Sequence, residues 1–305
     1  MTAFSEAEMV ELTGYNGRIL DQTSLYHGEG PTYDPVTDTA WWFSIFDCQL
    51  HELNLSTGRK VVHTLPFMAS VLARIDDSRQ LIVSEHGLHV RDVATGALEL
   101  VTPIEQDKPH MRSNDGRCHP SGALWFGTMT KHGEGRKGAG AIYHVLQGKV
   151  TLLYPEISIP NGICFSPDGA TGYFVDTMDN LYKKVTLDPA TGLPTGEPTL
   201  FSDESGEAGG VDGSVCASDG SIFNARWGVG EIQHYAPDGR KIGRYKLPPK
   251  QTTCPAFIGK EANQLLVTTA RENLSLEEWQ ADPEAGYTYA LDIGIKGMFD
   301  AAYRL

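Results

Sequence analysis

One phrase recurs six times along the chain: an apolar strand, a turn holding Pro, Asp or Gly, then an aromatic or β-branched strand. The copies are EGPTYDPVTDTAWWFSI from Glu29, VLARIDDSRQLIVSE from Val71 and NDGRCHPSGALWFGTM from Asn114. NGICFSPDGATGYFVDT follows from Asn161, DGSVCASDGSIFNARW from Asp212 and CPAFIGKEANQLLVTTA from Cys254. The turns fall near Asp34, Asp77, Pro120, Pro167, Ser218 and Gly259, at intervals of 43, 43, 47, 51 and 41 residues. A repeat of roughly 45 residues built of short strands is the spacing of a four-stranded propeller blade. Six such periods nearly fill the 305 residues. The expected fold is an all-β, six-bladed β-propeller with four-stranded antiparallel blades, as a single domain over residues 1–305.

Each blade needs two further strands, and candidates follow each copy: QLHELNL and KVVHTL, LHVRDV and ALELVT, AIYHVL and KVTLLY, LYKKVTL and PTLFSD, EIQHYA and IGRYKL. Turns such as STGR, ATGA and PDGR separate them. The sixth copy is followed by YTYALDI and then FDAAYRL, so an N-terminal strand, MVELTG, is expected to close the ring. ENLSLEEWQADPE is expected to form one short helix or an outer loop. The 33 glycines and 17 prolines supply the many turns this requires.

Bulk properties exclude several functions. The net charge of −14 repels phosphates, so neither nucleic acid nor an anionic membrane is an expected partner. No run of 18 apolar residues is present, and MTAFSEAEMVEL lacks a basic-then-apolar leader pattern. The expected location is cytoplasmic. The five cysteines, Cys48, Cys118, Cys164, Cys216 and Cys254, form no CxxC pair and are odd in number, which argues for buried thiols over a zinc cluster or disulfide framework.

The innermost strand of each blade lines the central channel, so residues at its start converge at one mouth. Those starts read Glu29, Arg112-Ser113-Asn114-Asp115, Asn161 and Asp212. Two carboxylates and one amide oxygen suit a hard divalent cation, with positions left for water or substrate. Glu29, Asn161 and Asp212 are therefore candidate metal ligands; the alternative is that each caps a turn. Arg112 and Asn114 would face the same mouth, where a guanidinium can hold hydroxyls or carboxylates; alternatively Arg112 neutralises Asp115 locally.

At these residues the chain resembles the gluconolactonase, regucalcin and senescence-marker-protein family. The motifs are GEGPTYDP, RSNDGRCHPSGALWFGTM, PNGICFSPDGATGYFVDT, GGVDGSVCASDG and TTCPAFIGKEANQLLVTTA, in order, from about Tyr26 onward. The resemblance implies metal-dependent hydrolysis of a sugar-acid lactone. It implies Glu29, Asn161 and Asp212 as ligands, Asp212 also as general base, and Arg112 and Asn114 as substrate-binding residues. Calcium, zinc, manganese and magnesium are all compatible. Some family members place an acidic substrate contact after GTM; here His132 takes that place, or Glu134 reaches in. No GxSxG elbow is present, which argues against a serine esterase. The rival readings are a non-catalytic calcium-binding regulatory protein, a phosphotriesterase-like hydrolase with an apolar pocket drawn from Trp42, Phe67, Met68 and Trp227, and a scaffold that binds protein at its rim.

Overall fold

The computed structural model describes residues 10–305. The reading of the extreme N-terminus falls largely on residues outside that range. Six blades of four antiparallel strands form a ring, one of them extended by a short fifth strand: the protein is a six-bladed β-propeller. The inner strands, from blade 1 to blade 6, are Gly28–Asp34, Ala69–Arg74, Met111–Cys118, Pro160–Phe165, Gly210–Cys216 and Thr252–Ile258. Each packs on the next, and the last packs on the first, which closes the ring.

The core is distributed rather than central. There are six apolar clusters, one in each gap between adjacent blades. Trp41, Phe43 and Leu50 of blade 1 meet Leu72 and Ile82 of blade 2, and Leu25, Tyr33 and Trp42 meet Ile258 and Leu266 of blade 6. A blade's second strand is covered on both faces, so it reads as a continuous buried run, as in Thr39–Ser44. An outermost strand such as Lys60–Thr64 alternates between exposed and half-buried. This explains why inner and second strands are plain in the sequence and outer strands are faint.

The ring closes differently from expectation. Gly17–Asp21 pairs with Thr288–Asp292 as the outer strand of blade 6. The described part of MVELTG instead supplies Leu12–Thr13, which lies parallel to Lys241–Lys246 at the edge of blade 5. Gly17 explains the register: a Cβ there would lie 2.2 Å from the Ala290 carbonyl oxygen. The segment FDAAYRL forms no strand. It belongs to a tail across the far mouth of the channel, where Tyr303 N donates to Arg74 O, and Arg304 N to Gly122 O. The short helix is present at Leu276–Ala281, started by a Ser275–Glu278 capping box.

The tail also carries the partner of a buried charge. Arg117 Nη1 donates to Asp300 Oδ2 at 2.8 Å, and the arginine side chain is only 6% exposed. Asp300→Ala should leave that guanidinium with its Nη2 bond to Pro255 O and with Asp115 as the nearby carboxylate. The expected cost is about 2 kcal/mol, below the usual figure for breaking a buried pair because Asp300 is partly solvated. Urea unfolding should show a lower midpoint at unchanged slope.

Candidate functional site

All six inner strands slip register against their second strand near their start. Such a bulge turns side chains out of the ladder. Glu29, Asn114, Asp115, Asn161 and Asp212 all lie at this step and are buried. In alternate blades an acid is followed by glycine, whose amide donates back to it. The distances are 2.6 Å for Gly30 N to Glu29 Oε2, 2.8 Å for Gly116 N to Asp115 Oδ1 and 3.0 Å for Gly213 N to Asp212 Oδ1. Gly30 has φ 56°, and a Cβ there would lie 1.9 Å from Ser70 O, so the inward turn after Glu29 requires glycine.

The channel therefore gathers three carboxylates. Burial, and then the Asp115 charge, push the Glu29 carboxyl well above its ordinary range. Burial and the charges of Glu29 and Asp115 do the same to Asp212. Asp115 is also raised by burial, but the Arg117 charge and two backbone amides oppose this. Its oxygens accept from Gly116 N and from Ile163 N, the latter at 2.7 Å, so it ties blade 3 to blade 4. The local neutralisation of Asp115 by Arg112 is not what the structure shows. Glu29 differs from Asp115: its Oε1 is buried with no hydrogen-bond partner at bonding distance among the described residues, and the side-chain donor near the carboxylate is the weak Cys254 thiol. A buried carboxylate oxygen without a strong donor is costly, so the group either keeps its proton or takes a cation.

Arg112 is held rigidly. Its Nη1 donates to Ser113 O at 2.8 Å and to Asn114 Oδ1 at 2.7 Å, and its guanidinium lies 5.4 Å from the Phe46 ring centroid. Burial lowers its pKa to about 10, which leaves it charged at neutral pH. Asn114 Nδ2 donates to Pro160 O at 3.0 Å and to Asn161 Oδ1 at 2.9 Å. Both amide hydrogens are thereby committed. Asn114 thus orients Arg112 on one side and Asn161 on the other. Asn161 Nδ2 donates to Thr177 Oγ1 at 2.9 Å, which directs the amide oxygen inward with one lone pair left over.

A cavity of about 210 Å³ opens at this mouth, lined by Arg112, Asn114, Asn161 and Asp212. Glu29 is buried close by, in the electrostatic field of Arg112. The sequence reading missed the rest of the wall: His27, Arg136, Trp227 and Glu272. His27 Nδ1 meets Glu272 Oε2 at 2.7 Å, and the imidazole stacks on Trp227 with centroids 5.7 Å apart. Burial raises the Glu272 carboxyl, but the His27 hydrogen bond and the charges of His27, Arg112 and Arg136 outweigh it and lower the pKa. Trp227 ends the second strand of its blade and Arg136 and Glu272 follow theirs, so that phase was a usable signal. His132 and Glu134 are exposed on the same loop as Arg136, and neither lines the cavity. In blade 2, Ser70 is fully buried and donates to Asn114 O at 2.5 Å, whereas Glu85 pairs with Lys131. All five cysteines are free, and all but Cys48 are buried.

The model for the SMP-30/gluconolactonase/LRE-like region matches residues 27–271, the span from His27 to the loop before Glu272. The chain belongs to that family. Among solved structures, the calcium-binding protein regucalcin of Agrobacterium tumefaciens strain C58 is 56% identical. The match covers 97% of this chain and all of that one, with a TM-score of 0.95. The "Putative sugar lactone lactonase" of Rhizobium meliloti (strain 1021) is 54% identical over 97% of this chain and 100% of its own. The L-arabinolactonase of Azospirillum brasilense is 31% identical over 93% and 94%. Family membership accounts for the shared motifs.

Among the described residues, no cluster of three His, Cys, Asp or Glu side chains is arranged as a metal site. The candidate set reaches three ligands only by including the Asn161 amide oxygen. That composition, together with the donorless Glu29 oxygen, fits a hard cation. Trp42 and Phe67 pack between blades and supply no apolar pocket. No helix among the described residues is long and apolar enough to cross a membrane.

Proposed function

We propose that the protein hydrolyses the lactone of a sugar acid to the free acid, with one divalent cation held by Glu29, Asn161 and Asp212. The observation that carries this is the Glu29 Oε1 atom, buried without a donor in the channel that Asp212 and Asn161 also face. A cation held there would supply Lewis-acid polarisation of the lactone carbonyl. Asp212 accepts a proton as a water oxygen bonds to that carbonyl carbon. The ring C–O bond then breaks, and the proton passes to the departing ring oxygen, which becomes a hydroxyl. Arg112, fixed by Ser113 O and Asn114 Oδ1, holds the sugar hydroxyls, while Asn114 positions Asn161. Relatives named L-arabinolactonase and pentonolactonase support the substrate class.

The test is acid release from a panel of aldonolactones by metal-stripped protein as single cations are restored, corrected for spontaneous hydrolysis. Turnover should appear only with a cation. Cation binding without turnover on any lactone would favour the regulatory calcium-binding reading, which the name of the regucalcin relative supports.

A further inference from the structure

Arg136 stands apart from the other arginines of the channel. Arg117 is closed by Asp300 and Arg112 by Asn114. The Arg136 guanidinium makes no ion pair or hydrogen bond among the described residues; the Nε atoms of Arg112 and Arg117 are equally unpartnered, but their Nη groups are engaged. Arg136 lines the cavity above Asp212. It also lines a second, open recess of about 510 Å³ with Lys137, Ile159 and Met178. Arg136 and Ile159 line both spaces, so the guanidinium stands between the cavity and a recess bordered by a second cation. Glu272 lines the same cavity and its carboxyl feels the Arg136 charge, but the two form no ion pair, so the guanidinium stays free to meet a ligand. A half-buried arginine beside an exposed lysine at a cleft attracts anions, and the guanidinium gives a fork for two oxygen atoms.

We infer that Arg136, with Lys137, forms a distal subsite for an anionic group at the end of the substrate remote from the lactone carbonyl. The preferred substrates are therefore sugar lactones bearing a terminal acid, and Arg136 is a specificity-determining residue. This rests on the lactonase reading for its kinetics, but not for the binding itself.

The test compares a neutral aldonolactone with the monolactone of the corresponding aldaric acid, which differs by a terminal carboxylate. Wild-type kcat/KM should favour the charged lactone, and added salt should erode that preference. Arg136→Gln should reduce kcat/KM on the charged lactone by roughly 10- to 100-fold, mainly through KM, and cost the neutral one far less. Arg136→Lys should recover part of the loss. Equal losses on both lactones, or no wild-type preference, would overturn the subsite. If no lactone is turned over, the lactonase reading fails by itself. Calorimetry with the open-chain aldarate then decides: binding weakened at least tenfold in Arg136→Gln supports the subsite, and unchanged binding removes it.

Discussion

Asp212→Asn is expected to lower lactone turnover by about 10³-fold or more, since a positioned proton acceptor alone contributes about 10²–10⁴. The substitution preserves shape. It removes one of three like charges that converge in the channel, two of which, Glu29 and Asp115, raise the Asp212 carboxyl. The variant without added metal should therefore fold normally and melt at the wild-type temperature or slightly above it. Near-wild-type hydrolysis would remove Asp212 from the role of base. A lower melting temperature together with lost activity would point to a structural role, because relief of repulsion predicts the opposite sign. Asn224 is the neighbour to watch: its Nδ2 donates to Asp212 O at 2.8 Å, and its Oδ1 is buried without a partner.

Glu29→Gln is expected to weaken divalent-cation binding by at least about 100-fold, since loss of an outer partner to a ligand already costs about 10–100-fold. Titration calorimetry measures this directly, and a thermal shift gives a second readout. A cation at about 100 times its Kd stabilises the folded state by about 2.7 kcal/mol, a rise of a few degrees in Tm. The wild type should show that rise, and the variant should lose it at the same concentration. Without metal the variant should be at least as stable as the wild type, because the donorless Glu29 oxygen is replaced by a neutral amide. Undiminished cation affinity would place the metal elsewhere and remove the three-ligand set.

What was legible in the sequence follows from periodicity. The period of roughly 45 residues specifies a ring, since each repeat has apolar side chains for both faces and must bury them against two neighbours. Glu29, Asn161 and Asp212 share a phase because the bulge recurs at one place in every inner strand, and a shared phase in a ring means a shared mouth. Only the tertiary structure decided the remainder. Gly17–Asp21 closes the ring because its register meets Thr288–Asp292, a pairing that short strands of similar composition do not announce. Asp115 accepts from the amide of Ile163 in the next blade, where one-dimensional proximity suggested Arg112. His27 and Glu272 are 245 residues apart and meet because the ring joins its ends. Arg136, and not His132, reaches the cavity, since a loop's path depends on its packing against Ile159 and the mouth and not on its distance from GTM. Repeated strands carry their positions in their spacing; loops between them acquire theirs only when the blades assemble.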